Sequence, residues 1–336
     1  MDRKQRVIQL LATLLACGIA VYLMKYMVLP ISRLLSDPSA ASLLIYLETG
    51  RVVKPMLTEP VQPTEEETQA PETQPAEAPG IFFSEADAEL VPLSNFARYT
   101  VDIPALLLTE LNWDLTQAQP QVLILHSHAT ESYTRTTQSF YEPSGAYRTL
   151  DTGYNMIRVG DALKNALEKK GISVIHDTTL HDHPNYSDAY IRSRETVKDW
   201  LEKYPSISLV IDLHRDAAGD TEAGQLCTAA EINGEVSSQL MLVVGSDAGG
   251  RLHPDWQQNM ALAAKLHAQL EKRFPGICRP ISFRTERFNQ DLSAGALLIE
   301  VGAAGDTLEQ ALVAAEALAV GISDLAFGTV TTDSTS

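Results

Sequence analysis

The sequence predicts an α/β fold, with a mostly parallel central sheet and helices on both faces. Two observations carry that prediction. Short apolar runs that read as buried strands alternate along the chain with stretches of helical periodicity, the pattern of strand–helix–strand units. Three of those runs also stop at side chains with chemistry. Val122–Leu125 ends at His126 and His128, with Glu131 just beyond; the run over 209–213 ends at His214, followed by Arg215 and Asp216; the run over 296–299 ends at Glu300. In an open α/β sheet, sites form outside the carboxyl ends of the strands. The expectation is three strands delivering His, His and Glu to one edge.

The elements follow in order. Arg3, Lys4 and Arg6 precede an apolar run over 7–24 that resumes over 26–31. Spanning a bilayer takes roughly 17–25 residues, whereas the core of a cleaved signal has roughly 7–15. The residues after Met24, Lys-Tyr-Met-Val-Leu-Pro, make a poor cleavage site. Residues 1–31 therefore read as a cytoplasmic N-terminus and an uncleaved transmembrane anchor, with the rest of the chain outside. A juxtamembrane segment (32–54) includes a short helix over 41–47. Residues 55–80 are rich in Pro, Glu and Thr and read as a disordered acidic linker. Residues 81–117 form a segment packing ahead of the main domain, which spans 118–326, and 327–336 are a tail. Within the domain, strands are expected over 122–125, 172–175, 208–213, 238–245 and 296–301. Helices are expected over 154–170, 187–203, 256–274 and 307–325. The first of these carries Met156, Val159, Leu163 and Leu167 on one face.

The 336 residues carry a formal charge of −17, which argues against nucleic acid as a partner. Cys17, Cys227 and Cys278 show no CxxC spacing, so a thiolate metal site is not expected. Cys227 and Cys278 are either free thiols or one disulfide. Imidazole and carboxylate at a strand mouth are ligand types suited to zinc. The string His214-Arg-Asp216 also occurs in protein kinases, but the glycine-rich loop and DFG that would accompany it are absent. His176, His181 and His183, with Asp177 and Asp182, read as a polar loop.

The segments LILHSHATESY, LVIDLHRDA and NQDLSAGALLIEVG, taken as a set, resemble the stage II sporulation protein P family over roughly residues 118–325. The core is more distantly similar to zinc-dependent N-acetylmuramoyl-L-alanine amidases. The resemblance implies an amidase-like catalytic domain over 118–326 that cleaves the amide between N-acetylmuramic acid and L-alanine in peptidoglycan. Cutting of stem-peptide cross-links during septal thinning and forespore engulfment is implied too. The implied partners are stage II sporulation proteins D and M, and the implied cofactor is Zn2+. Sliding the amidase motif onto the first strand assigns His128 and His214 as zinc ligands and Glu300 as general base. Glu131 is the expected third ligand, with Asp151 or His126 as alternatives; His126 otherwise orients a ligand. Asp216 is expected to orient a ligand and Arg215 to meet a substrate carboxylate, unless they form a structural ion pair. Asn289, with Gln290 and Ser293, is expected to line the groove. A zinc peptidase acting only on stem peptides and a non-catalytic wall-binding scaffold are the competing readings.

Overall fold

The computed structural model describes residues 82–111, 113–217 and 225–328, which fall in one compact unit. The expected anchor, juxtamembrane segment and linker, and nearly all of the expected tail, lie outside the described residues. The strands are β1 (Leu93–Asn95), β2 (Val122–Leu125), β3 (Val174–His176), β4 (Leu209–Asp216), β5 (Ala229–Ile232), β6 (Glu235–Ser238), β7 (Leu240–Val244), β8 (Ile281–Phe283) and β9 (Ala296–Ala303). The α-helices are α1 (Ile103–Leu108), α2 (Met156–Lys169), α3 (Ala189–Lys203), α4 (Trp256–Arg273) and α5 (Leu308–Phe327).

Seven strands form one sheet in the order β1-β8-β7-β9-β4-β2-β3. Every pairing is parallel except β7 with β9. The mostly parallel sheet expected from the alternation is therefore present. Its consequence for the site is direct: β9, β4 and β2 are consecutive in the sheet and run the same way, so their carboxyl ends share an edge.

Alternation along the strands decides which side chains meet, because successive residues point to opposite faces. Val122 and Ile124, Leu209, Ile211 and Leu213, and Leu297, Ile299 and Val301 join the main core with α2, α4 and α5. Leu123, Leu125, Val210 and Ala296 lie on the other face with Val197 and Trp200 of α3. Among the described residues, that second face is covered by a single α-helix. Asp212 and His214 share the parity of Val210, and Glu300 that of Ala296, so all three point to the thinly covered face. Register then sets His214 directly beside Glu300 on the neighbouring strand. Helix α5 is long and apolar enough to cross a membrane, and half of its most apolar window is buried. It packs against α2, α4 and β9 as a core helix.

Three details differ from expectation. The strand expected over 238–245 is β7, which starts only at Leu240; Ser238 instead ends β6, and the break falls at Gln239, whose N–H donates to Thr228 O and whose carbonyl accepts from Gly302 N. β6 pairs with β5 as an antiparallel ribbon. The turn is Asn233-Gly234, both at positive φ, the Asn-Gly hairpin signal. Segment 81–117 does more than pack: β1 adds an edge strand beside β8, and Leu107 of α1 is buried in the main core. Cys227 and Cys278, expected as buried thiols or one disulfide, form no disulfide with one another, and Cys227 is exposed while Cys278 is buried.

Gly295 keeps β4 and β9 close at the entrance to their pairing. Its carbonyl accepts from Val210 N at 3.0 Å, and a Cβ there would overlap the carbonyl oxygen of Ser208. That neighbour is backbone and yields little. Gly295→Ala is expected to lower stability by roughly 1–3 kcal/mol, read as a drop in the thermal midpoint by calorimetry. An unchanged midpoint would contradict so close an approach of the two strands.

Candidate metal centre

β2 ends at Leu125 and the chain turns over 127–130, with Glu131 N donating to His128 O. The turn brings His128 and Glu131 over the face that carries His214. Ligand-type atoms of His128, Glu131 and His214 lie within 4.8 Å of one another. His128 Nδ1 is 3.6 Å from Glu131 Oε1, and His214 Nδ1 is 3.5 Å from Glu131 Oε2. These separations are long for hydrogen bonds. They are close to the edge, about 3.3 Å, of a tetrahedron whose legs are zinc–ligand bonds of roughly 2.0–2.1 Å. Two imidazoles and one carboxylate also match a three-ligand zinc site with an open position. The residues present fit the group.

Asp212 orders this arrangement. Its carboxylate accepts from His214 Nε2 at 2.8 Å, from Ser127 N at 2.7 Å and from Ser127 Oγ at 2.6 Å. With Nε2–H committed to Asp212, the Nδ1 of His214 faces Glu131, the orientation a ligating histidine needs. Burial lowers the His214 pKa, but Asp212 and Glu131 on either side outweigh it and hold it well above 6.5. A ligand must shed that proton when a cation binds. Burial pushes Glu131 up, yet His214, Arg215 and His128 together bring it down to about 2, so its carboxylate stays ionised. Burial, then the neighbouring His214, lowers His128 to about 4 and keeps that ring neutral.

Glu300 stands apart in character. Its Oε2 is enclosed and, among the described residues, has no hydrogen-bond partner. Burial, reinforced by Glu131 and Asp216, raises its pKa to about 8. A buried carboxyl oxygen without a partner is costly unless it serves a purpose.

The other expected residues are placed elsewhere. His126 has the opposite parity to Leu125 and packs towards Gly160 of α2 on the main-core side. Its Nδ1 donates to Leu213 O and its Nε2 meets His176 Nε2, both at 2.8 Å, so neither nitrogen faces the cluster. Asp151 is exposed and accepts from Gly153 N in its own turn. Arg215 is buried: its guanidinium donates to Ser132 O and Tyr147 O and so pins the loop. Asp216 pairs with Arg279 at 2.7 Å, and the orienting role expected of it falls to Asp212. Asn289 lines a cavity and donates to Tyr190 O and Ser193 Oγ. The loop of His181 and Asp182 is not simply polar surface. Both residues are buried; His181 donates to the His126 carbonyl, and Asp182 pairs with Arg148, which also reaches Glu131 at 3.2 Å.

Sequence reading missed Asp212, Arg148 and two tyrosines. Tyr186 stacks on His128 at 4.5 Å between centroids, while Tyr190 meets the same ring edge-on at 5.3 Å. The signal for Asp212 was present: Asp212-Leu-His214 puts two polar groups at i and i+2 of a strand, hence on one face.

A profile of the stage II sporulation protein P family matches residues 44–323. A curated relative, stage II sporulation protein P of Bacillus subtilis (strain 168), is 31% identical over 209 residues. That match covers 59% of this chain and 49% of the relative, so the chain spans about half the length of the curated protein it matches. Among solved structures, N-acetylmuramoyl-L-alanine amidase AmiC2 of Nostoc punctiforme is similar at 13% identity and a TM-score of 0.36, covering 60% of this chain and 94% of that one. The CwlD amidase of Clostridioides difficile, solved with the GerS lipoprotein, is similar at 12% identity and a TM-score of 0.38, covering 62% and 95%. Both likenesses are too remote to carry a functional argument.

The hydrogen bond from His214 Nε2 to Asp212 gives a direct expectation. In Asp212→Asn the amide can present N–H to Nε2 and so favour the tautomer with Nδ1 protonated. Zinc affinity, measured by competitive chelator titration, is expected to fall about 10–100-fold. Wild-type affinity in the variant would remove Asp212 from the account.

Proposed function

The chain belongs to the stage II sporulation protein P family, and from that premise we propose that it is a membrane-anchored, zinc-dependent peptidoglycan hydrolase. It cleaves the amide between N-acetylmuramic acid and L-alanine and acts in septal thinning and forespore engulfment. Cutting of stem-peptide cross-links is a second activity within the proposal. Stage II sporulation proteins D and M are the proposed partners. The apolar stretch over 7–31 is the proposed anchor, with the catalytic domain on the extracytoplasmic side.

One observation carries the chemistry: His128, Glu131 and His214 converge next to Glu300, whose Oε2 has no partner among the described residues. Zinc held by those three residues supplies Lewis acidity, polarising an amide carbonyl and acidifying water. Glu300 takes a proton from the attacking water at Oε2 and returns it to the nitrogen of the departing amine. Its raised proton affinity suits both halves of that task, because a shuttle works best with a pKa near the working pH. Asp212 holds the His214 ring in its tautomer, and His214, Arg215 and His128 around Glu131 keep that carboxylate charged.

Digestion of purified peptidoglycan by the full-length chain, with products sorted by mass, tests the reading. Free stem peptides with intact glycan are expected. Cut cross-links alone would favour a stem-peptide endopeptidase, and no release at all would favour a scaffold. Glu300→Gln is expected to slow release by roughly 10²–10⁴-fold while zinc stays bound. Undiminished release by that variant would contradict the mechanism.

A further inference from the structure

A cavity of about 440 Å³ opens beside the cluster, walled by Tyr190, Arg251, Arg287 and Asn289 among others. Tyr190 is the shared wall. Its ring meets His128 edge-on at 5.3 Å and lies parallel to His214 at 6.3 Å, so the cavity is one aromatic ring away from the proposed ligands.

The cavity is cationic although the chain is acidic, with a formal charge of −17. Arg251 is exposed and, among the described residues, makes no hydrogen bond or ion pair. Arg287 pairs with Asp291 at 3.1 Å, but Arg194 already holds that carboxylate through two contacts of 2.7 Å. One carboxylate thus serves two guanidinium groups. The acid in the wall, Glu286, is countered by Arg284 at 3.6 Å. A net positive charge is left facing the space.

The wall is also fixed. Phe288 and Asn289 both have positive φ, 50° and 59°, a costly conformation for consecutive non-glycine residues. The Asn289 side chain ties this loop to Tyr190 O and Ser193 Oγ of α3, and Phe288 sits 6.0 Å from the Tyr190 ring. Strained backbone held by such ties is a rigid surface, suited to discriminating a bound group.

We propose that this cavity binds a free carboxylate of the acidic peptide on the amine side of the scissile amide, with Arg251 as the specificity-determining contact. The proposal rests on the hydrolase reading above and names which half of the substrate lies on the α3 side. Neutral sugars offer nothing to an unpaired guanidinium, whereas a planar carboxylate matches its fork. Stem peptides carry free carboxylates close to the bond that is cut.

The test is calorimetric titration of the full-length chain with a synthetic stem tripeptide bearing free carboxylates, and with the same peptide as its carboxamides. The wild type is expected to bind the acid form about tenfold more tightly or better. Arg251→Gln is expected to abolish that preference with zinc content and carboxamide binding unchanged. Equal binding of both peptides by the wild type, or a preference that survives Arg251→Gln, would overturn the proposal. Hydrolysis of the corresponding muramyl peptide is followed in parallel. Preferential binding without hydrolysis would support the cavity assignment and contradict the hydrolase reading, so the two failures are distinguishable.

Discussion

The site depends on a single buried carboxylate. Asp212 accepts from both the backbone and the hydroxyl of Ser127 and from the His214 ring. It therefore joins the loop after β2, which carries His128 and Glu131, to the strand that carries His214. A carboxylate this enclosed is costly unless its oxygens are satisfied. Burial raises its pKa, and His214 with the Ser127 bonds overcomes that and brings it to about 2. The same contacts that keep Asp212 charged thus aim His214 Nδ1 at Glu131 and hold the turn at the sheet surface.

The sheet supplies the setting. Among the described residues, α2, α4 and α5, with α1 beside them, bury one face, and α3 covers only part of the other. Polar side chains of β4 and β9 point to the side where cover is thin, so a cluster of charges forms without disturbing the main core. Tyr186 and Tyr190 wall this opening, and the left-handed loop at Phe288 and Asn289 fixes its far side. Charge is balanced unevenly across it. Glu131 is held by Arg148 and Arg215, while Glu300 Oε2 is left without a partner among the described residues. One carboxylate is kept ionised and the other is kept ready for a proton, a division set by surroundings rather than by residue type.

Much of the fold was legible because burial on both faces leaves continuous apolar runs, and β2, β4 and β9 have them. His128, Glu131, His214 and Glu300 stood out because they interrupt or follow those runs. What was not legible depended on partners far along the chain. Asp216 looked poised to orient a ligand, but Arg279, 63 residues on, takes it. Arg215 looked like a substrate contact, but loop carbonyls that no sequence pattern announces claim its guanidinium. His126 and His128 were separable only by the similarity to amidases; strand alternation gives the physical reason, since His126 turns towards α2. The break at Gln239 and the Asn233-Gly234 hairpin were local signals that an apolar run over 240–244 obscured.

The central claim is that His128, Glu131 and His214 form a zinc site. Its most direct measurement is the metal content of the full-length protein, by mass spectrometry, in the wild type and in His214→Ala. The account predicts stoichiometric zinc in the wild type and its loss in the variant, with the fold retained by circular dichroism. A wild type that remains zinc-free when purified with zinc present, or a variant that keeps its zinc, would contradict it.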